Sequence, residues 1–227
     1  MKLIKYLNEI SAKEKEIRLK YKDTPVKDIP VEDLWVSMMQ GNTKLHKSIK
    51  TFNLPAVQSC PDSKTCAKNC YALKSEKGRF GKVARPSRER NFRLAKENLE
   101  LLKRLILKHL KKGDIVRIHE SGDMFSQEYL DMWTEIIKER PDVLFYTYTK
   151  TEQRFNWSII KRLPNFNLVS SMINGKLNFG PEKEITIMAK ELGAFVCPCK
   201  KGNKVVCGVD CKVCMTPGNE RVVFIQH

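Results

Sequence analysis

The sequence predicts an α/β protein built as a partial (β/α)6 barrel of parallel strands. Short apolar runs of strand length alternate with longer runs in which apolar residues recur every three or four positions. This alternation is typical of βαβ units. Six such strands are too few for an eight-stranded barrel. A doubly wound sheet is the alternative architecture.

Each element follows from a local pattern. The predicted strands cover residues 48–57, 115–118, 144–149, 166–170, 194–197 and 222–226. One long amphipathic helix should begin near Pro86 and end at Gly113. A second should run to about Arg140 with Ser126 as its N-cap. Further helices are predicted over 156–163 and 182–192.

The N-terminal part is predicted to be an appendage. Residues 1–44 form a helical extension, with one helix to about residue 22 and a short one over 31–39 after Pro25 and Pro30. Residues 45–227 form the partial barrel domain. This domain ends in a cysteine-rich segment, 197–214, that is predicted to bind metal.

Composition narrows the class of protein. No apolar run approaches ~20 residues, so neither a transmembrane helix nor a membrane partner is predicted. The start of the chain has no continuous apolar stretch typical of a secretory signal. The expected location is therefore cytoplasmic. In that compartment the eight cysteines are expected to be thiolate ligands or reactive groups instead of disulfides.

The charge is unevenly distributed. The whole chain carries +16, and residues 1–112 alone carry +15. A one-sided basic field attracts polyanions, so nucleic acid is the expected partner. Six cations stand close together in the first half and could either contact phosphates or neutralise a negatively charged cluster or cofactor. They are Arg79, Lys82, Arg85, Arg88, Arg90 and Arg93.

The active and binding sites of such folds lie at the carboxyl ends of the parallel strands. The second predicted strand ends in three ionisable residues around a glycine, and the fourth ends in two serines. These residues are His119, Glu120, Ser121, Gly122 and Asp123, followed by Ser170 and Ser171. We expect them to share one edge, with Gly122 allowing a ligand to approach the backbone closely.

The first cysteine group, Cys60, Cys66 and Cys70, lies on a loop after the first predicted strand. Three soft thiolates this close suit an iron–sulfur cluster or zinc. A four-iron cluster held by three thiolates leaves one iron open to a substrate or cofactor. The alternative is a closed site with a fourth ligand from elsewhere.

The second cysteine group comprises Cys197, Cys199, Cys207, Cys211 and Cys214. Five cysteines within 18 positions predict a second metal site. Because the group stands late in the chain, a closed four-cysteine site is favoured, holding either zinc or a second iron–sulfur cluster. One cysteine is then spare, either Cys197 or Cys199.

Three features together resemble the phage gene product 88 domain family. They are the triplet ending in Cys70-Tyr71-Ala72, the string RIHESGD at residues 117–123, and the second cysteine group. The resemblance covers most of the chain after about residue 45. More distantly, the arrangement resembles the radical S-adenosylmethionine superfamily. In proteins of that superfamily, a three-cysteine motif follows the first strand of a partial barrel, and a Gly-Gly-Glu-like segment ends the second strand.

This second resemblance implies roles for named residues. Cys60, Cys66 and Cys70 would ligate a 4Fe-4S cluster. Residues 120–123 would bind the amino group of S-adenosylmethionine, and Ser170 or Ser171 would lie near its ribose. The chain departs from the superfamily in three respects. The cysteine spacing is x5, x3 instead of x3, x2, the aromatic Tyr71 follows the last cysteine, and the double glycine is absent.

The sequence therefore predicts an iron–sulfur enzyme, similar to radical S-adenosylmethionine proteins, that acts on or near nucleic acid. Glu120, Asp123 and His119 are its predicted catalytic residues. One alternative is a zinc-stabilised nucleic-acid-binding protein. Another is a nuclease in which these same three residues bind a divalent ion.

Overall fold

A five-stranded sheet organises the computed structural model, which describes residues 12–42, 44–79, 81–173, 176–199 and 205–225. Its strands, in both chain order and spatial order, are β1 (Met38–Gln40), β2 (Ile49–Phe52), β3 (Ile115–Ile118), β4 (Leu144–Thr149) and β5 (Phe166–Ser170). β1 is antiparallel to β2, and the other neighbouring pairs are parallel. Because consecutive parallel strands are neighbours, right-handed crossovers place their helices on one face of the sheet.

The later strands form two smaller sheets. β6 (Met172–Ile173) pairs with β7 (Lys176–Leu177), and β8 (Phe179–Gly180), β9 (Phe195–Val196) and β10 (Val222–Ile225) form a parallel sheet in the order β8-β10-β9. The predicted α/β class with mostly parallel strands is confirmed, and all six predicted strands are present. They are divided between two sheets, however, and no closed barrel forms among the described residues.

The helices are α1 (Ala12–Lys20), α2 (Tyr71–Lys77), α3 (Gly81–Glu97), α4 (Leu99–His109), α5 (Gln127–Glu139) and α6 (Glu182–Leu192). The Ser126 cap is confirmed, since its side chain accepts a hydrogen bond from the Tyr129 amide. The single helix predicted from Pro86 to Gly113 is wrong. It is two helices, α3 and α4, because Asn98 leaves the helical conformation and caps α4 by accepting from the Leu101 amide.

Two predicted short helices are also wrong. Residues 31–39 form a 3-10 turn, Val31–Asp33, and then β1, because pairing with β2 extends the chain there. Residues 156–163 contain only the 3-10 turn Ile160–Arg162. The first eleven residues of the predicted N-terminal helix lie outside the described residues. The division of the chain at residue 44 stays a prediction, although β1 belongs to the five-stranded sheet.

The two faces of the five-stranded sheet are covered differently. Helices α3, α4 and α5 pack on one face through a large apolar core that includes Leu102, Trp133 and the strand residues Val116 and Ile118. On the other face, apolar side chains of β2, β3 and β4 pack against the second cysteine group and Met215. Cys207, Cys214 and Met215 therefore cover part of the sheet face opposite the helices.

Hydrogen bonds hold the cysteine-rich segment on the sheet. Asn167, on β5, donates to the carbonyls of Cys214 at 2.9 Å and Asn219 at 3.1 Å. The Cys207 amide donates to the Lys44 carbonyl at 2.8 Å. In the described part of the chain, the longest helix, α3, has 17 residues and none is long and apolar enough to span a bilayer.

Candidate functional site

The first cysteine group lies on a tightly wound loop, residues 60–70, after β2. Amides of Ser63, Cys66 and Asn69 each donate to the carbonyl three residues earlier, at 3.1–3.2 Å. Cys66 lies between the two 3-10 turns of this loop, Ser63–Thr65 and Ala67–Asn69, and Cys70 stands at the start of α2.

Burial, together with the nearby charges of Asp123, Cys66 and Cys70, raises the pKa of the Cys60 thiol to about 12. The three thiols and Asp123 are thus neighbours, and all three thiols are free. Among the described residues, no three Cys, His, Asp or Glu side chains converge on one metal-binding position. The structure brings the thiols close together but does not arrange them as a coordination sphere.

A buried ion pair between Glu76 and Arg88 fixes the chain on both sides of the loop. The Glu76 carboxylate accepts from the Ala56 amide at 2.8 Å and from Arg88 at 2.7 Å. Arg88 also donates to the Ala72 carbonyl at 3.3 Å. These bonds join the chain before Cys60, helix α2 and helix α3. On the outer side, Arg154 pairs with Asp62 at 2.6 Å.

The end of β3 packs directly on the segment that leads into this loop. The Asn53 side-chain oxygen accepts from the amides of Glu120 at 2.7 Å and Ser121 at 3.1 Å. Gly122 has φ +90°, and a Cβ there would lie 2.6 Å from both Leu54 Cβ and Ser59 Oγ. The close approach expected of a ligand at Gly122 is therefore made by Leu54 and Ser59 of the protein itself.

Gly122→Ala is expected to lower the free energy of unfolding by about 1–3 kcal/mol, because it adds a steric clash to a left-handed backbone. Gly113→Ala is the matched control, since Gly113 has φ +81° and a Cβ there would have no atom within 4 Å. Chemical denaturation of both variants measures the difference. Equal losses would show that the contact with Leu54 and Ser59 contributes nothing.

Asp123 joins the ends of β3 and β4. Its carboxylate accepts from the Met124 amide at 2.8 Å, the Thr149 hydroxyl at 2.7 Å and the Lys150 amide at 2.9 Å. Burial raises the pKa of this carboxyl, and the three hydrogen bonds act in the opposite direction. The side chain holds two strand ends together beside Cys60.

His119 lies in the core beneath the site. Its ring is stacked with Tyr129 at a centroid distance of 5.7 Å, and its Nε2 is 2.9 Å from the Tyr129 hydroxyl. Burial, with Arg117 nearby, lowers the pKa of His119 to about 3, so the imidazole is neutral at neutral pH. This placement suits packing better than proton transfer at the sheet edge.

Glu120 lies at the rim of the site. Its carboxylate accepts from the Asn42 amide group at 2.7 Å, and its backbone carbonyl accepts from the Tyr71 hydroxyl. Glu120 therefore links the chain before β2, the residue after Cys70 and the end of β3.

The predicted cofactor-binding serines are separated. Ser121 is buried at the end of β3, and its hydroxyl has no partner among the described residues. Ser170 and Ser171 lie at the end of β5, beyond β4. The Ser170 hydroxyl donates to the Met172 carbonyl at 2.7 Å, and the Ser171 amide donates to the Thr149 carbonyl at 2.7 Å.

The second cysteine group gathers three chain segments. The Cys197 amide donates to the Val223 carbonyl, Cys207 and Cys211 are bridged through their backbones, and Cys214 lies in the 3-10 turn Val213–Met215. Burial and the neighbouring thiols raise the pKa of Cys207 to about 11. The neighbours of Cys207 include both Cys197 and Cys199, so either could be the spare cysteine.

Arg117 lies between the two cysteine groups. Its guanidinium is 4.6 Å from the Tyr148 ring centroid, and the Tyr148 hydroxyl is within hydrogen-bonding reach of the Cys214 thiol. On the other side, Tyr71 follows Cys70 and is within hydrogen-bonding reach of Arg117. Among the described residues, no carboxylate lies within salt-bridge distance of this half-buried cation, and its enclosed Nε has no partner.

Burial by itself lowers the pKa of Arg117, but Tyr71, Tyr148, Tyr146 and Glu120 more than offset it, and the net direction is upward. The sequence interpretation assigned Arg117 no role. Its signals in the sequence are its place in the string RIHESGD and a cation inside the otherwise apolar strand IVRI. Asn53, Tyr71 and Glu76 were missed as well, because their partners are distant in the sequence.

Half of the predicted basic cluster is structural. Arg88 is buried against Glu76, Arg90 stacks over Trp35 at 4.2 Å, and Arg93 donates to the Val26 and Ile29 carbonyls. Arg85 pairs with Glu89 at 2.8 Å. Arg79 and Lys82 are exposed. Three of the six cations thus bind other parts of the fold instead of standing free for phosphates.

Comparison with known proteins supplies a family. The family described as gene product 88 matches residues 35–211. The gene 88 protein of Mycobacterium phage L5 is 31% identical over 151 residues, which are 60% of this chain and 62% of that protein. The gene 88 protein of Mycobacterium phage D29 is 30% identical over the same shares. The chain thus spans 62% of the length of these relatives. No solved structure matches the chain.

Proposed function

The chain belongs to the gene product 88 family, and on that premise we propose that it is an iron–sulfur enzyme of radical S-adenosylmethionine-like type that acts on or near nucleic acid. One observation carries this proposal. The first cysteine group is held on a single wound loop at the carboxyl edge of consecutively ordered parallel strands. Polar groups of such a sheet converge at this edge.

The donor set fits a cluster better than a hard cation. Three thiols are soft ligands, and iron–sulfur clusters and zinc are the centres that thiolates select. Burial, Asp123 and the other two thiols raise the pKa of Cys60, and bound metal removes this penalty by stabilising the thiolate. Three ligands leave a fourth position for a substrate or cofactor.

Arg117 supports metal at both groups. The Nε of half-buried Arg117 is enclosed without a partner, which is costly for a cation, and anionic metal–thiolate centres on its two sides would offset that cost. Tyr71 links Arg117 to the first group, and Tyr148 links it to the second. We propose Arg117 as the counter-charge shared by the two centres.

When bound, a cluster with an open iron supplies electron transfer to S-adenosylmethionine. The residues of this chain would position that cofactor. Asn53 orients the Glu120 and Ser121 amides, and the unpartnered Ser121 hydroxyl is a free donor beside them. Glu120 is the carboxylate at the rim that could bind an amino group. Ser170 and Ser171 would contact the cofactor across the end of β4.

A zinc-stabilised nucleic-acid-binding protein is the second candidate. The backbone bridge between Cys207 and Cys211 favours it, with the Gly208 amide donating to the Cys211 carbonyl at 2.8 Å. Such a tight turn between ligands suits a closed zinc site. The nuclease alternative has less support, because the Asp123 carboxylate already accepts three hydrogen bonds.

The nucleic-acid part of the proposal rests on charge. The chain carries a net charge of +16, and a field of this sign concentrates polyanions at the surface. Salt-sensitive binding alone would fit both candidate functions, so metal identity is what separates them.

The deciding experiment measures iron, zinc and acid-labile sulfide in protein purified without oxygen. We expect about four iron and four sulfide per first cysteine group, with a second cluster or one zinc at the second group. S-adenosylmethionine should then change the electron paramagnetic resonance spectrum of the reduced protein. Zinc alone, without sulfide, would overturn the iron–sulfur proposal and favour the zinc-stabilised alternative.

A further inference from the structure

The surface beside the first cysteine group carries unneutralised positive charge. Six exposed cations lie on the loop, on α2, between α2 and α3 and at the start of α3, and we call this surface the lysine face. Its members are Lys64, Lys68, Lys74, Lys77, Arg79 and Lys82. Residues 60–90 contain three acids, Asp62, Glu76 and Glu89, and each is paired with an arginine. Because these acids are paired with arginines, they do not form ion pairs with the cations of the lysine face, which stays strongly basic.

An exposed aromatic ring stands among these cations. Tyr71 is 59% exposed, which is unusual for a large aromatic side chain. Its hydroxyl end turns inward and donates to the Glu120 carbonyl, so the ring is tethered while its surface meets solvent. A tethered aromatic loses little conformational entropy when a flat partner stacks on it.

We propose that the lysine face binds single-stranded nucleic acid, with one base stacked on Tyr71. Cations that follow the phosphate backbone and an aromatic ring that stacks a base are the two components of single-strand binding surfaces. A duplex keeps its bases stacked on each other and offers Tyr71 no free base. The strand would thereby pass beside Cys70. This inference rests on the proposed function only in sharing its nucleic-acid partner.

The test measures fluorescence anisotropy of labelled oligothymidine and oligouridine of about 12 nucleotides, titrated with the full chain. Tyr71→Ala should weaken binding about tenfold, the loss of one stacked base. Tyr71→Phe should stay within about twofold, because it keeps the ring. Comparing the two oligonucleotides separates a preference for DNA from one for RNA.

Charge is tested with a matched pair of triple variants. K68Q/K74Q/K77Q should lower the slope of log affinity against log salt by about 2, since each phosphate contact contributes about 0.7. K138Q/K183Q/K190Q removes the same charge from exposed residues of α5 and α6 and should leave the slope unchanged. If both triple variants lowered the salt slope equally, binding would depend only on the net charge of the chain. That result would overturn the lysine face as the binding surface.

Two further outcomes would overturn the inference. One is a duplex of equal length that binds as tightly as the single strand. The other is an unchanged affinity of Tyr71→Ala. Metal content measured on the same samples keeps this test separate from the proposed function. Wild-type protein that lacks iron but binds single strands through Tyr71 would refute the iron–sulfur enzyme and leave the binding surface in place.

Discussion

Replacing Cys66 with alanine should remove the metal of the first cysteine group and leave that of the second group in place. Cys66 lies between Cys60 and Cys70 on the wound loop, and its charge acts on the Cys60 thiol. With two thiolates remaining, the loop cannot supply the three ligands that a four-iron cluster with one open iron needs. Iron, zinc and sulfide per chain should fall by the content of one centre.

Ser63→Ala is the matched control, because Ser63 lies midway between Cys60 and Cys66 on the same series of turns but carries no thiol. It should keep the full metal content. Cys211→Ala should show the reverse pattern and deplete only the second group. If Cys66→Ala kept the wild-type metal content, the assignment of the first cysteine group as a metal site would be refuted.

The Arg88→Met variant should lose about 3–5 kcal/mol of unfolding free energy. The Arg88 and Glu76 side chains are only 7% and 8% exposed. Removing the cation leaves the Glu76 carboxylate buried without its charged partner, while it still accepts from the Ala56 amide. The loss should appear in urea denaturation as a lower midpoint with an unchanged slope.

Arg85→Met, one turn earlier on α3, is the control for Arg88→Met. Arg85 also pairs with a glutamate, Glu89, but its side chain is 67% exposed. Solvent screens this pair, so the expected loss is below about 1 kcal/mol. The double variant Glu76→Gln with Arg88→Met should recover part of the stability, because no unpaired charge stays buried. Similar losses of unfolding free energy for Arg88→Met and Arg85→Met would show that burial does not determine how much these ion pairs stabilise the fold.

The errors in the predicted elements have physical causes. The apolar repeat continues from Phe92 to Ile106, so periodicity cannot detect that Asn98 caps a new helix. Residues 38 and 39 were predicted as helical because their local pattern permits it, but pairing with β2 is a contact across the fold that overrides propensity.

Only part of the candidate site followed from the sequence. The carboxyl edge and its polar residues were predicted because strand ends can be read from hydrophobic runs. That reading cannot tell which side chains point toward a ligand. His119 points into the core, Asp123 joins two strands, and Gly122 meets Leu54 and Ser59.

The sequence by itself determined the α/β class, the six strands and the two groups of thiols, because side-chain periodicity and residue chemistry are local properties. Only the tertiary structure decided that β10 lies between β8 and β9 and that Cys207 and Cys214 pack on the sheet face opposite the helices. It also decided that Arg117 stands between the two cysteine groups. Each of these features depends on contacts between segments far apart in the chain, whose energies no local pattern encodes.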